Sequence, residues 1–438
     1  MTQQFDITPN VLVLASDCNP EWPSLPVVGY KYALALADTC NVTVVTHIRN
    51  RENICKLHPA AGQSVCQTPN GSNIHFVFID TEYIAAPLHK LSILLRGGNE
   101  TAWSIGMIMA YPTYVEFERQ TWKRFKKQLL SGEFDIIHRI TPMSPTLPSY
   151  IAGRAPQKFV IGPLNGNLDW PTAFAAEQKR ENERARILRQ FYKLLPFSKR
   201  TYIKADAILA AFQHTINDLS PKLHNKIVMF PEVGYDATIF YPPKQRIAGP
   251  LRFLFAGRLV PYKLPEVAVR AFLASDKLGD SMLHIIGGGP EQVRLEALVE
   301  EAGATDKVIF EGHMTQAEVG QRMRETDVFV FPSIRELGAG VVVEAMACGM
   351  YNLVVDYGGP ADLIDPSRGA KVAMADIKGL VASFQAEMEA CLIQDLEPAR
   401  QAAADYAKEH FLWDEKAAFT KALYANLLAD QPLGAPYD

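Results

Sequence analysis

A strand–helix alternation runs through this chain, stops at a proline-rich stretch, and starts again. The first series of short apolar runs is VLVLAS (11–16), NVTVVTHI (41–48), IHFVFID (74–80), FDIIHRI (134–140) and KFVIGPLNG (158–166), with helical spacing between them, as in GYKYALALAD (29–38). Short runs without polar alternation are strands buried on both faces, which calls for a parallel sheet between layers of helices. PEVGYDATIFYPPKQRIAGP (231–250) interrupts the pattern with Pro231, Pro242, Pro243 and Pro250 and reads as a linker. Strand signals then resume at LRFLFAG (251–257), MLHIIGGG (282–289), KVIFEG (307–312), VFVFPS (328–333) and YNLVVDYGG (351–359), with helices at 264–275 and 291–303. At 438 residues the chain exceeds one ordinary core. The expected class is α/β: two Rossmann-like, doubly wound domains, 1–240 and 247–410, facing a cleft. Residues 411–438 form a last helix that either crosses back to the first domain or caps the second.

Composition removes several function classes. A formal net charge of −4 supplies no basic field for nucleic acid. The six cysteines form no CxxC pair and no His/Cys cluster with zinc spacing, so they read as thiols of a cytosolic protein. VLVLAS follows Asp6 rather than a cationic leader, and no apolar run reaches the roughly 18 residues of a spanning helix. The expected location is cytoplasmic, at most against the inner face of a membrane. QKRENERARILRQFYKLLPFSKR (178–200) and WKRFKKQLL (122–130) are basic and amphipathic, which makes them candidate peripheral membrane contacts; solvated helix faces are the alternative.

Four stretches stand out for candidate chemistry. In FLFAGRLVPYK a strand ends at Ala256 and is followed by Gly257, Arg258 and Lys263, cations that suit a phosphate. In IIGGGPE, Gly288 and its neighbours allow close backbone approach to a ligand, although Gln292 stands where a dinucleotide fingerprint needs its third glycine. In SIRELGAGVVVEAMACG, Glu336 and Glu344 flank Gly338, Ala339, Gly340 and Val341, where a helix begins. The first-turn N–H groups have no intrahelical partner and can reach an anion. A carboxylate beside an anion site is there for hydroxyls, so the ligand is a phosphate flanked by hydroxyl-rich groups. In YGGPAD (357–362), Asp362 reads as a cap for the next helix.

With these stretches in order, the second half resembles a retaining glycosyltransferase of family 4 (glycosyltransferase group 1) with the GT-B fold, similar to bacterial exopolysaccharide and cell-envelope enzymes. The resemblance rests on Gly257–Arg258, Lys263, GGGP, FEG at 310–312, Pro332–Ser333, Glu336, Glu344–Ala345, AMACG and Gly358–Gly359, spread over about 110 residues. It implies that Arg258 and Lys263 hold the diphosphate of a sugar nucleotide, that Glu344 takes the ribose hydroxyls, and that Glu336 binds the transferred sugar. It further implies that the amides from Gly338 to Val341 contact sugar and diphosphate, and that the base lies near His313 and Met314. In the first half the resemblance is looser. Gly29 alone remains of the usual Gly-Gly loop, and FDIIHRIT makes His138 the candidate to face the reacting carbon, a core histidine being the alternative. Three departures stand out: Gly338 where a Phe is common, Leu264 where Gly follows the lysine, and PEVGYD with Asp236 in place of PNGVD.

The implied reaction moves a hexose, with UDP-glucose the first candidate donor, to a saccharide or lipid-linked acceptor in polysaccharide biosynthesis. Catalytic candidates are Glu336, His138, Arg258 and Lys263. No cofactor and no metal is expected, because no Asp-x-Asp closes a strand of the second half and the cations with a helix N-terminus can stabilise the leaving diphosphate. A front-face substitution is the preferred mechanism. Two rivals are a UDP-sugar epimerase on the same fold and a non-catalytic sugar-nucleotide scaffold.

Overall fold

The computed structural model describes residues 8–96, 103–174 and 193–434. The chain divides into two compact units: residues 1–167, 179–232 and 413–438 in the first, and residues 168–178 and 233–412 in the second.

The first unit is built on an eight-stranded sheet. Its strands are β1 (Asn10–Ala15), β2 (Asn41–His47), β3 (Cys66–Gln67), β4 (Asn73–Ile79), β5 (Ile136–Thr141), β6 (Lys158–Leu164), β7 (Ala207–Ala210) and β8 (Ile227–Met229). Their spatial order is β3-β4-β2-β1-β5-β6-β7-β8. All neighbours are parallel except β3 and β4. Register is illustrated by Val13, which lies opposite Val44 on one side and His138 on the other. The VLVL run shows why these strands are apolar throughout. Val11 and Val13 point into one core, and Leu12 and Leu14 into a second on the opposite face. Burying each such side chain contributes roughly 1.5–3 kcal/mol, so a polar residue on either face would be costly.

The first core is closed by the helices Leu25–Ala37 and Trp413–Leu428, the latter contributing Ala417, Leu423, Tyr424 and Leu427. Tyr32 and Thr420 hydroxyls meet at 2.6 Å between these two helices. The first of them starts four residues before the GYKYALALAD pattern, so Gly29 lies within a helix rather than in a loop. A Cβ at Gly29 would overlap the Asp17 carbonyl oxygen, which explains the glycine by close packing against the end of β1. The second core is closed by the helix Trp103–Ser131 through Tyr114, Phe117, Phe125 and Leu129. Phe125 and Leu129 of the WKRFKKQLL stretch are therefore core residues, while Lys123, Arg124, Lys126 and Lys127 are exposed. Of the other basic stretch, residues 178–192 lie outside the described residues. No helix among the described residues is long and apolar enough to cross a membrane.

The second unit carries six parallel strands: β9 (Arg252–Ala256), β10 (Met282–Ile286), β11 (Val308–Gly312), β12 (Val328–Phe331), β13 (Tyr351–Val355) and β14 (Gly369–Val372). Their order is β11-β10-β9-β12-β13-β14. The chain builds outward from β9 to β11, then crosses back to add β12 on the other side of β9, with Leu254 opposite Phe329. That reversal between β9 and β12 is a topological switch point, where the loops leave in opposite directions and open a crevice at the carboxyl ends.

A short stretch of the first half joins this second unit. After β6 and Asn167 the chain continues as Leu168–Phe174, with Leu168, Trp170 and Phe174 buried. The Tyr357 hydroxyl donates to the Asp169 carbonyl at 2.8 Å, and the Arg335 guanidinium lies 5.0 Å over the Trp170 ring.

Candidate functional site

Five carboxyl-end loops of the second sheet carry the predicted second-half residues. The loop after β9 turns at Gly257 (φ 156°), whose N–H donates to the Ile286 carbonyl at 3.0 Å. Next to it, a Cβ at Gly287 (φ 121°) would overlap the Gly257 carbonyl oxygen, so the β9 and β10 loops can lie this close only with glycine there. Gly288, the next residue of the β10 loop, is half-buried and meets no comparable steric demand.

Beyond Gly257, Arg258 is exposed and donates to the Tyr262 hydroxyl at 2.6 Å. A 3₁₀ turn, Pro261–Lys263, follows, and Leu264 takes a left-handed conformation (φ 47°, ψ 45°). This is the position where the resembled family commonly has glycine, and the backbone gives a reason: an L-residue here carries roughly 1–2 kcal/mol of strain. Leu264 is also buried, and that burial offsets the strain. The Tyr262 carbonyl accepts from Ile334 N–H at 3.0 Å and from the Ser333 hydroxyl at 3.4 Å, which ties the loop after β9 to the loop after β12.

Across that tie Lys263 Nζ donates to Glu336 Oε1, an ion pair whose side chains are 12% and 15% exposed. The same carboxylate oxygen accepts from the Ser333 hydroxyl at 3.1 Å. The ammonium also stands 5.1 Å over the Phe331 ring. Behind Glu336, its carbonyl oxygen accepts from Gly359 N–H at 3.1 Å, at the start of the helix Gly358–Leu363. That helix begins at Gly358, so Asp362 sits in its last turn and does not cap its start; Tyr357 holds the N-cap position in extended backbone, without a side-chain capping hydrogen bond. Leu168–Trp170 packs on both sides of this arrangement, through Trp170 under Arg335 and Leu168 against Gly358.

The helix Gly340–Ala347 starts from Ala339, itself left-handed (φ 48°) and buried. Val342 and Val343 donate back to the Ala339 carbonyl, so the N–H groups of Gly340 and Val341 have no intrahelical partner. Gly338 and Gly340 are half-buried, and Glu344 lies on the second turn, also half-buried. At the end of β11, His313 is exposed and Met314 half-buried, next to a capping box in which the Thr315 hydroxyl accepts from Glu318 N–H at 3.4 Å. The crevice edge thus combines an ammonium, a guanidinium and a helix start, which favour an anion, with carboxylates that accept from hydroxyls.

His138 belongs to the first unit and differs from the catalytic expectation. It is fully buried in β5, with Nε2–H donating to the Gly162 carbonyl at 2.7 Å and Nδ1 accepting from the Tyr424 hydroxyl at 2.5 Å. Burial pushes its pKa down to about 4. With both nitrogens occupied and no exposed surface, it sits as a core histidine. Its motif could not show this, because Tyr424 arrives from the far end of the chain. Sequence reasoning also missed Ser333 as a partner of Glu336, and the Leu168–Trp170 stretch with Arg335. The aromatic–proline pair Trp170–Pro171, six residues after the end of β6, was the available signal.

Residues 239–409 match the family model of glycosyl transferases group 1. The chain is 32% identical over 218 residues to a D-inositol 3-phosphate glycosyltransferase of Xylanimonas cellulosilytica, covering 46% of this chain and 49% of that protein. It is 33% identical over 132 residues to a GDP-mannose-dependent alpha-mannosyltransferase of Mycolicibacterium smegmatis, covering 30% of this chain and 32% of that one. It spans about half the length, or less, of these curated relatives. Among solved structures, sucrose-phosphate synthase from Thermosynechococcus elongatus is similar with a TM-score of 0.62 at 16% identity, over 96% of this chain and 99% of that one. At this identity the likeness concerns the fold, two Rossmann-like α/β units of the GT-B kind.

Proposed function

We propose that this chain, whose residues 239–409 match the group 1 glycosyltransferases, is a retaining, metal-independent hexosyltransferase using a nucleoside diphosphate sugar. The observation that supports it most is the Lys263–Glu336 contact across the β9–β12 switch point. An ammonium for the diphosphate and a carboxylate for sugar hydroxyls stand side by side there, as a sugar nucleotide requires. Arg258 and the start of the helix Gly340–Ala347 add positive potential for the leaving group. Glu344 is assigned to the ribose, and the His313–Met314 segment to the base.

In the proposed reaction the acceptor hydroxyl oxygen forms a bond to the anomeric carbon on the face from which the diphosphate departs. The anomeric C–O bond to phosphate breaks, and the hydroxyl proton passes to the leaving phosphate oxygen. Configuration is retained, and no carboxylate becomes covalently linked to sugar. Glu336 orients the sugar.

UDP-glucose is the first donor to test and GDP-mannose the second, since a relative is named for the latter. A saccharide or lipid-linked saccharide is the first acceptor class, and the relatives' names add a phosphorylated inositol. The deciding experiment incubates the full chain with each donor and acceptor, with and without EDTA, and follows products by NMR. Transfer with a retained anomeric configuration in EDTA is the expected result. Donor epimerisation without acceptor would favour the epimerase. UDP or GDP binding without any turnover would favour a binding scaffold. Loss of transfer in EDTA would overturn metal independence.

A further inference from the structure

We propose that Asn165, His214 and Glu232 form a hydroxyl-binding subsite of the first unit that takes a polyhydroxylated acceptor. Asn165 follows β6, His214 lies in the helix Gln213–Asp218 directly after β7, and Glu232 follows β8. Three adjacent strands of one sheet thus deliver three polar side chains at their carboxyl ends, where open α/β sheets bind ligands.

The proton arrangement of the cluster can be read atom by atom. Asn165 Nδ2 donates to Glu232 Oε1 at 2.6 Å. His214 Nε2 stands 3.2 Å from Asn165 Oδ1, an amide oxygen that can only accept, so Nε2 carries the proton. Burial pushes the His214 pKa down to about 4, so its Nδ1 is a bare acceptor. Among the described residues, that Nδ1 and Glu232 Oε2 are both buried and neither has a hydrogen-bond partner. Glu232 itself is only 4% exposed. An atom left unsatisfied in this way is costly, so interiors seldom keep one without use.

Neighbours hold the cluster in place. Thr215 Oγ1 accepts from Gly166 N–H at 3.2 Å and donates to the Gly166 carbonyl at 3.1 Å. The Phe212 ring stacks on His214 with centroids 6.0 Å apart. The Lys416 ammonium, which donates to the Pro231 carbonyl at 2.6 Å, attracts the Glu232 carboxyl electrostatically.

Two acceptors in one cluster ask for a ligand with more than one O–H group. An anion would be repelled by Glu232. Burial pushes the Glu232 carboxyl up to about 7, so near neutrality it both donates and accepts. A hydroxyl suits either state because it also does both, whereas an ammonium can only donate. This subsite rests on the glycosyltransferase reading and supplies the acceptor side of it.

The test is saturation-transfer NMR on the full chain, with myo-inositol and methyl α-glucopyranoside as probes. Wild type should show saturation of at least one polyol. His214→Phe and Glu232→Gln should each lower it about fivefold, the equivalent of one hydrogen bond. Both variants should keep the wild-type thermal shift with UDP, and Glu336→Gln should keep the polyol signal. An unchanged signal in His214→Phe, or no polyol saturation with wild type, overturns the proposal and leaves ordered water as the occupant. If Glu232→Gln fails to fold because Lys416 loses its charge partner, His214→Phe decides alone. A chain that binds polyols but no UDP or GDP would contradict the sugar-nucleotide reading while leaving this subsite standing.

Discussion

Lys263 and Glu336, 73 positions apart in sequence, form one ion pair across the strand reversal of the second sheet. The pair is braced on both sides. Ser333 shares the carboxylate, and the Tyr262 carbonyl links the two loops by two hydrogen bonds. On the proposed reading, a diphosphate engaging Lys263 would draw the ammonium away from Glu336 and free that carboxylate for hydroxyls.

Glu336→Ala should lower kcat by about two orders of magnitude, the scale of a lost transition-state contact, with UDP affinity near wild type. Lys263→Ala should lower kcat and weaken UDP binding together. Steady-state kinetics and calorimetric UDP titration read both, and unchanged UDP affinity in Lys263→Ala would remove the lysine from the diphosphate site.

Leu264→Gly should be destabilising even though glycine suits the backbone. Relief of left-handed strain returns roughly 1–2 kcal/mol, against roughly 2–5 kcal/mol for removing a buried leucine. The urea midpoint should fall; a rise would mean that strain outweighs burial at this turn.

Trp170→Ala should lower kcat more than it weakens UDP binding, because Trp170 supports Arg335, the residue before Glu336. Trp170→Phe should recover much of the loss. Tyr357→Phe removes the hydrogen bond to Asp169 and should cost about 1 kcal/mol in stability. Equal losses in UDP affinity and kcat for Trp170→Ala would show a general collapse of the unit instead.

Stability should fall with acid partly through His138. Its folded pKa of about 4 lies below the ordinary histidine value of 6.5, so between these values the unfolded chain binds the extra proton. Stability from the neutral, buried ring is complete above about pH 6.5 and is lost as pH falls toward 4, by at most about 1.4 kcal/mol per pH unit. His138→Gln should flatten the slope of unfolding free energy against pH over that window. An identical slope would show that the proton is taken up elsewhere, His47 and His214 being the other histidines pushed down to about 4 among the described residues.

Sequence alone determined the strands and their loops. VLVLAS, LRFLFAG and VFVFPS each became a buried strand within two residues of the pattern, because burial on both faces leaves a continuous apolar run whatever the neighbours are. The loops carrying Lys263 and Glu336 follow their strands directly, so their place at carboxyl ends was legible too. Tertiary structure alone decided which strands lie side by side, and hence that Lys263 meets Glu336. It also decided that Tyr424 fills the second nitrogen of His138, that Leu168–Phe174 joins the second unit, and that Trp413–Leu428 covers the first sheet. The physical reason is range. Periodicity and turn chemistry act over a few residues, whereas burial and pairing depend on segments hundreds of residues away that appear in no local pattern.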